Sequence, residues 1–202
     1  MEPADPIYRA LYRYTKALSV ALGYRDLSTR LHSERVLGLA TAVGACCSLS
    51  EQDMGILEIS SSFHDIGKIG IPDHILLKSS EFDEAEWKIV KKHPEIGGAI
   101  IASTELDGSS QAALVIRHHH EYFNGQGYPD GLSGEEILIH SRIISIADCY
   151  DAMAETRPYH KPMKHSAIMD ILSDETGTKH DPQLMCIFCE IIESSQYKAA
   201  EM

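Results

Sequence analysis

The sequence has no uninterrupted apolar run of about 18 residues, the length that a membrane-spanning helix requires. Residues 1–6 also lack the apolar core of a secretory signal peptide. Basic residues are scarce, because 18 Lys and Arg stand against 30 Asp and Glu, a formal net charge of −12. These absences predict a cytoplasmic protein with no membrane and no DNA partner. Bound metal ions could still reverse the potential locally and attract a small anion.

Cysteine is scarce and odd in number. The chain has 202 residues, long enough to form a core without disulfides, and only Cys46, Cys47, Cys149, Cys186 and Cys189 carry thiols. An odd number favours free thiols in a reducing compartment. Cys186 and Cys189 have CxxC spacing, but no second pair accompanies them and their segment is apolar. We therefore interpret these two as core residues rather than metal ligands.

Strand patterns are absent as well, whereas apolar residues recur at three- and four-residue steps along the chain. Ser28 or Thr29 is a candidate N-cap for the second helix, Ser50 for the third, and Pro72 suits the first turn of a short helix. The longer predicted helices cover residues 6–24, 29–47, 51–63, 83–92, 94–102, 110–121, 139–154, 164–176 and 182–194. The fold prediction is an all-α bundle of about eight helices, with a lead-in helix over residues 1–24 and one domain over residues 25–202.

Residues 63–73 place an imidazole beside a carboxylate, and an amine three residues later. Gly67 and Gly70 are turning residues, so His64 and Asp65 can converge where a helix ends. Such a pair is half of a metal site, and the carboxylate can bridge two ions. A two-residue match is weak by itself, and a capped histidine at a helix end is then the simpler interpretation. The other candidate residues of the chain decide between a metal site and a capped histidine.

Further histidines and aspartates fall at predicted helix ends or on apolar helix faces, where an unpaired polar side chain is costly. Together with the pair they form a set of candidate metal ligands: His32, His64, Asp65, His93, His119, His120 and Asp148. Five imidazoles and two carboxylates suit two divalent ions, and mixed nitrogen and oxygen ligation favours Fe, Mn, Ni or Zn over Mg or Ca.

The charge of such a site indicates its substrate. Two divalent ions and two aspartates leave a net charge of about +2, which a phosphodiester complements. Metal-activated hydroxide would attack phosphorus in line, with Asp65 bridging the ions and Lys68 contacting the phosphate. Without metals, Lys68 reads equally well as a solvated surface lysine.

Six motifs follow one another along the chain. They are His32-x-x-Arg35-Val36, His64-Asp65-Ile66-Gly67-Lys68-Ile69-Gly70-Ile71-Pro72-Asp73, His93-x-x-x-Gly97, His119-His120-Glu121, Gly127-Tyr128-Pro129-x-Gly131-Leu132-x-Gly134-x-x-Ile137, and Ala147-Asp148-x-x-Asp151-Ala152-Met153 with Arg157-Pro158-Tyr159. In this order they resemble the HD-GYP family, a branch of the HD superfamily of metal-dependent phosphohydrolases. The resemblance covers roughly residues 20–195.

The resemblance implies an all-α bacterial phosphodiesterase that hydrolyses the second messenger cyclic di-GMP to pGpG and/or GMP. It implies that Lys68, Tyr128 and Arg157 contact the substrate. It also implies that the loop Gly127-Tyr128-Pro129 could dock diguanylate cyclase (GGDEF) domains. By motif position, one metal would take His32, His64, Asp65 and Asp148, and the other Asp65, His93, His119 and His120.

This chain departs from the family pattern at a few positions. Members with three metals are similar in carrying a glutamate four residues before the first ligand histidine, where this chain has Ser28. We therefore predict two metals rather than three. His160 stands where the family often has Lys or Arg, which weakens one expected phosphate contact at high pH. Asn124 stands where Asp is usual, and His118 stays outside the ligand set.

Two alternatives stay open. The substrate could be another cyclic dinucleotide, such as cyclic GMP-AMP, because the signature motif does not choose between guanine and adenine. The chain could also be a non-catalytic signalling module that binds cyclic di-GMP without turnover. Retention of the whole ligand set favours the enzyme.

Overall fold

The computed structural model describes residues 6–155 and 162–201, with side chains from residue 8 onward. This part of the chain contains two isolated β-bridges, no β-strand, and two short 3-10 helices, Ile66–Gly70 and Gly134–Glu136. The all-α prediction is confirmed. The α-helices of the described residues are α1 (Pro6–Arg25), α2 (Leu27–Cys46), α3 (Glu51–Phe63), α4 (Asp73–Leu76), α5 (Glu84–Val90), α6 (His93–Ala102), α7 (Ser109–Arg117), α8 (Ile139–Ala154), α9 (His165–Asp174) and α10 (Pro182–Ile192).

Capping residues explain where two of these helices begin. Ser50 caps α3 as predicted, since its Oγ accepts a hydrogen bond from the amide of Asp53 at 3.1 Å. The predicted cap of α2 was wrong. Asp26 holds that position, and its carboxylate accepts from the amides of Ser28 and Thr29. A charged acceptor that satisfies two orphan amides at once is the stronger cap, so α2 begins two residues earlier than expected.

The core lies where α2 packs against α3 and α8. Val36 and Leu39 of α2, Ile56 and Leu57 of α3, and Ile144 of α8 are almost wholly buried. Burial of each such side chain contributes about 1.5–3 kcal/mol. This packing matters for the site because α2, the end of α3 and α8 each carry a predicted metal ligand.

The helix α1 lies against this core. Its residues Tyr8, Leu11 and Leu22 are buried, and it packs on α2, α3 and the 3-10 helix Ile66–Gly70. The boundary between a lead-in helix and a domain at residue 25 stays a prediction. Although α1 and α2 have 20 residues each, no helix in the described residues is long and apolar enough to cross a membrane.

All five cysteines are free, as their odd number predicted. The interpretation of Cys186 and Cys189 as core residues was wrong, because both lie on the exposed side of α10. The buried face of that helix instead contains Leu184, Phe188 and Ile192. Residues four apart share a helical face, and the cysteines fall off that row.

Candidate metal centre

The His-Asp pair lies where α3 ends. Phe63 is the last residue of α3, His64 is its C-cap, and Asp65 precedes the 3-10 helix that carries Lys68. Gly67 in this turn packs against the start of α6. A Cβ at that position would lie 1.9 Å from the carbonyl oxygen of His93, so only glycine permits the approach. The close contact brings His93 beside Asp65.

Two groups of three side chains converge in front of this turn. Within each group the ligand atoms all lie within 4.8 Å of one another. The groups draw on five different elements: α2, the end of α3, α8, the start of α6 and the turn after α7. The first group contains His32, His64 and Asp148, and the second contains His93, His119 and His120.

The Asp65 carboxylate lies between the two groups. Its Oδ2 atom is 3.5 Å from Nε2 of His64 and 3.8 Å from Nε2 of His32. Its Oδ1 atom is 3.4 Å from Nε2 of His93. Each oxygen therefore faces a different group, which is the arrangement that a carboxylate needs to bridge two ions. All seven residues predicted as metal ligands are brought together in this centre.

The histidine run after α7 departs from the helix expected over residues 110–121. Helix α7 ends at Arg117, and His118 is its C-cap. Adjacent residues on a helix point about 100° apart, so two consecutive histidines could not serve one site from a continuous helix. In the turn, the ring centroids of His119 and His120 lie 4.1 Å apart and both face the second group.

Hydrogen bonds on the far side of the rings orient the histidines. The Nδ1 atoms of His64, His93 and His119 lie 2.9, 2.8 and 2.6 Å from the backbone carbonyl oxygen three residues earlier. An Nδ1–H that donates to a carbonyl leaves the lone pair of Nε2 directed at the centre, as a metal ligand requires. The buried Nε2 of His64 has no hydrogen-bonding partner in the described part of the chain. This donor set fits divalent transition-metal ions.

A carboxylate orients a fourth imidazole, that of His32. Nδ1 of His32 lies 2.6 Å from Oδ2 of Asp151. Arg35 holds this buried carboxylate with two bonds, from Nε at 2.6 Å and from Nη2 at 3.0 Å. The sequence motifs contain Asp151 and Arg35, but this role was not predicted. The available signal was their spacing, since each lies three residues after a predicted ligand, His32 or Asp148, on the same helix.

Burial keeps most of the imidazoles neutral. It lowers the pKa of His93 to about 4 and that of His120 to about 3, and it also lowers the pKa of His64 and His119. Burial has the same effect on His32, but the adjacent carboxylates outweigh it and raise its pKa. Neutral imidazoles are the form that binds metals.

The two aspartates of the centre are ionised despite their burial. Burial opposes the charge of Asp65, yet the ammonium group of Lys68 holds its pKa well below the ordinary value. Burial also opposes the charge of Asp148, and His32, whose Nε2 lies 2.9 Å from Oδ1, holds its pKa well below the ordinary value. Nζ of Lys68 lies 2.6 Å from Oδ2 of Asp65.

Tyr128 covers one side of the second ligand group. Its ring stacks on His120, with centroids 5.0 Å apart and an interplanar angle of 28°. Nζ of Lys91 lies 5.1 Å from the centroid of the same ring. The preceding Gly127 makes the approach possible, because a Cβ there would lie 2.2 Å from the amide nitrogen of Tyr122.

A second set of contacts shapes the loop of residues 124–134, which we call the signature loop. The carboxylate of Glu121 accepts hydrogen bonds from the amides of residues 130, 131 and 132 at 2.6, 3.1 and 3.1 Å. Asp130 in turn accepts two bonds from Arg117, each 2.7 Å long. Nε2 of His118 lies 2.9 Å from Asp130, so this histidine faces the loop and not the ligand groups.

The centre opens into a cavity of about 800 Å³. Its lining combines positive charge with ring surfaces: Lys68, Lys88, Lys91 and Lys179 with Phe82 and Trp87. The same lining contains Arg35 and five carboxylates, so the charge that attracts an anionic ligand would come from the bound ions. These carboxylates are Asp26, Asp65, Glu84, Asp148 and Glu155. Ser28 also lines the cavity. The predicted phosphate contact Arg157 and the neighbouring His160 lie outside the described residues.

The chain is similar in sequence to a known domain family and to named bacterial proteins. The HD domain family model matches residues 20–184. The chain is 37% identical over 166 residues to the Xanthomonas campestris protein named cyclic di-GMP phosphodiesterase response regulator RpfG, covering 82% of this chain and 44% of that protein. It is 33% identical over 173 residues to the Vibrio cholerae protein named 3'3'-cGAMP-specific phosphodiesterase 2, covering 86% of this chain and 33% of that protein. The chain spans less than half the length of these two curated relatives.

A solved structure has the same fold. Bd1817, an HDG"Y"P protein from Bdellovibrio bacteriovorus, superposes with a TM-score of 0.69 at 19% identity, covering 93% of this chain and 62% of that one. The family match spans most of the chain, and the histidines and aspartates that the motifs predict as ligands lie together in space. The chain belongs to the HD domain family, and the HD-GYP membership that its motifs predict is confirmed.

Proposed function

We propose that this chain is a metal-dependent phosphodiesterase that hydrolyses cyclic di-GMP to pGpG and/or GMP. The observation that carries the proposal is the position of Asp65, with one carboxylate oxygen toward each group of three ligands. The name of the Xanthomonas campestris relative supplies the substrate. Because the chain spans less than half of that relative, activity and substrate are both proposals for this chain.

The proposed cofactor is a pair of divalent transition-metal ions, chosen from Fe, Mn, Ni and Zn. One would be held by the first ligand group with Asp65 and the other by the second group with Asp65. When bound, such ions activate a water for attack on phosphorus and polarise the phosphate oxygens. Ser28, in place of a glutamate, supports two ions rather than three.

The residues of the chain position the reacting groups. Lys68 lies beside the bridging carboxylate, where its ammonium group would offset the charge that develops on the phosphate oxygens. Asp151, clamped by Arg35, keeps His32 in the tautomer that ligates through Nε2. Tyr128, packed on His120, would contact the ligand from the signature loop. Arg157 is proposed as a further phosphate contact.

Cyclic GMP-AMP is the second candidate substrate. The Vibrio cholerae relative is named for this dinucleotide, and its identity to the chain is only slightly lower. The two dinucleotides share the phosphodiester ring and differ in one base, so the metal centre itself would not discriminate between them. The alternative to an enzyme is a signalling module that binds cyclic di-GMP without turnover. A further proposal is that a GGDEF domain docks on residues 127–129 of the signature loop.

The decisive experiment combines metal analysis with hydrolysis. The metal-free protein is reconstituted with Fe, Mn, Ni or Zn, metal per chain is measured, and both cyclic dinucleotides are assayed. We expect two ions per chain and faster hydrolysis of cyclic di-GMP. Asp65→Ala should lose ions and activity together, whereas Asp107→Ala, which removes an exposed carboxylate, should keep both.

Three other outcomes of this experiment would each contradict one part of the proposed function. Three ions per chain would contradict the assignment based on Ser28. Faster hydrolysis of cyclic GMP-AMP would make that dinucleotide the substrate in place of cyclic di-GMP. Tight binding of cyclic di-GMP by the loaded protein with no hydrolysis would replace the enzyme by a signalling module.

A further inference from the structure

The cavity contains an aromatic side chain that the proposed chemistry does not use. Trp87 is the only tryptophan of the chain and lies on α5. It lines the cavity and is 47% exposed. Its ring meets Phe82 edge to face, with centroids 5.5 Å apart and an interplanar angle of 80°. Proteins bury most of their tryptophan surface, so a half-exposed ring inside a ligand cavity indicates a ligand contact.

The fold does not need this ring for its core. None of the residues of α5 is buried. Polar contacts hold the helix instead: Asp83 and Glu86 form a capping box at its start, and Lys78 forms an ion pair with Glu86. Since Trp87 has no core to fill, a substitution there should change the cavity and leave folding intact.

One wall of the cavity connects this ring to the metal centre. Lys91 follows Trp87 by four residues, so the two side chains lie one helical turn apart on the same face. Nζ of Lys91 lies over the ring of Tyr128, and that ring stacks on the ligand His120. A molecule that extends from the proposed ions along this wall passes the ring of Tyr128 and the ammonium group of Lys91 before it reaches Trp87.

We propose that Trp87 and Phe82 form a shelf on which one purine base of the bound cyclic dinucleotide stacks. The proposal rests on the proposed function and names the part of the substrate that this region binds. Every nucleobase has a flat π-surface that stacks on indole, and lysines beside the ring attract the anionic backbone of the same molecule. Lys88 and Lys91 provide that charge next to the shelf.

The test compares KM and kcat of the metal-loaded protein on cyclic di-GMP. Loss of one base–aromatic contact weakens binding between about fivefold and about a hundredfold. We expect Trp87→Ala to raise KM in that range, Trp87→Phe to raise it less, and both to leave kcat within about twofold. Tyr14→Ala removes an exposed ring on α1, outside the cavity lining, and should change neither constant.

A substrate without nucleobases separates the shelf from the metal centre. Methyl p-nitrophenyl phosphate carries only the ring of its leaving group, so Trp87→Ala should hydrolyse it at the rate of the unsubstituted protein. The single tryptophan also provides a direct signal, and adding GMP should quench its fluorescence with saturation. Absence of quenching would overturn the shelf.

The two proposals fail in different ways. If the unsubstituted protein hydrolyses cyclic di-GMP and Trp87→Ala has the same KM, the shelf is wrong and the proposed function stands. If the unsubstituted protein hydrolyses methyl p-nitrophenyl phosphate but neither binds nor hydrolyses a cyclic dinucleotide, the proposed function is wrong and the shelf falls with it. If Trp87→Ala changes the sedimentation coefficient and leaves KM unchanged, the shelf is wrong and the indole of Trp87 belongs to a contact between copies of the chain.

Discussion

The ammonium nitrogen of Lys68 lies 2.6 Å from Oδ2 of Asp65. Their three-residue separation explains this contact, because side chains at i and i+3 eclipse one another in a 3-10 helix and the turn that follows Asp65 has that geometry. An α-helix would have offset the two side chains. The turn therefore combines the carboxylate that we propose bridges the two ions and the ammonium group of Lys68 in one short segment.

Replacing Lys68 by methionine tests the role of this charge. We expect Lys68→Met to keep its metal content, since the lysine is not a ligand, and to lower kcat on cyclic di-GMP by roughly 10²–10³, as loss of one transition-state contact does. Steady-state kinetics with metal analysis would measure both. Lys198→Met, which removes a lysine paired with Glu193 near the end of the chain, is the matched control. Equal kcat in the two variants would remove Lys68 from the mechanism.

Replacing Asp151 by asparagine tests the orientation of His32. Asparagine has a neutral amide in place of the charged carboxylate that contacts both Nδ1 of His32 and Arg35. The imidazole of His32 therefore loses the charged acceptor that selects its tautomer. We expect Asp151→Asn to weaken metal affinity about 10–100-fold while the far-UV circular dichroism stays unchanged. Competition with a chromophoric chelator measures the affinity. A variant that binds metal like the unsubstituted protein would show that this carboxylate does not orient the ligand.

Arg25, the last residue of α1, holds the turn that carries Lys68. Its Nε lies 2.6 Å from the carboxylate of Asp73, its Nη1 donates to the carbonyl oxygen of Ile69 at 2.6 Å, and its Nη2 donates to that of Ile71. A lysine cannot span these acceptors with one point charge. We expect Arg25→Lys to lower the free energy of unfolding by about 1–3 kcal/mol and to lower kcat while metal content is kept.

Urea unfolding and kinetics together measure this effect. Arg30→Lys, on the first turns of α2, is the control because its pair with Glu34 lies along one helix and is worth only a few tenths of a kcal/mol. If Arg25→Lys loses stability without any change in kcat, the arginine anchors α1 and does not position Lys68.

The pH dependence of the metal-free protein follows from its buried imidazoles. The folded protein holds the pKa of His93 at about 4 and that of His120 at about 3, whereas the unfolded chain titrates both near 6.5. Between these values the unfolded chain binds more protons, so the folded state loses stability as the pH falls from about 6.5 toward 4. His32, whose pKa is raised, acts in the opposite direction but is outnumbered.

Urea unfolding with a chelator present, at pH 7.5 and pH 5, measures this dependence. We expect a lower free energy of unfolding at pH 5, and a smaller difference between the two pH values in His93→Gln, which removes one of the titrating groups. A protein equally stable at both pH values would contradict the neutral state of the buried imidazoles.

The local sequence pattern predicted the bounds of helices α3 and α8 well. Ser50 marked the start of α3, and the apolar spacing of residues 139–154 matches α8 residue for residue. The pattern was wrong at the histidine run after Arg117, because apolar spacing continues there while the chain leaves the helix. It was also wrong for Cys186 and Cys189, since an apolar segment does not say which of its residues face the core.

The sequence by itself determined the all-α class and predicted the chemistry of the centre, because helical spacing is local and because the order of the motifs identified every candidate ligand. Only the tertiary structure decided which oxygen of Asp65 faces each ligand group, and that Asp151 and Arg25 support the site through contacts with other elements. These contacts join residues far apart in the chain. Their geometry arises when α2 packs against α3 and α8, and no local pattern encodes that packing.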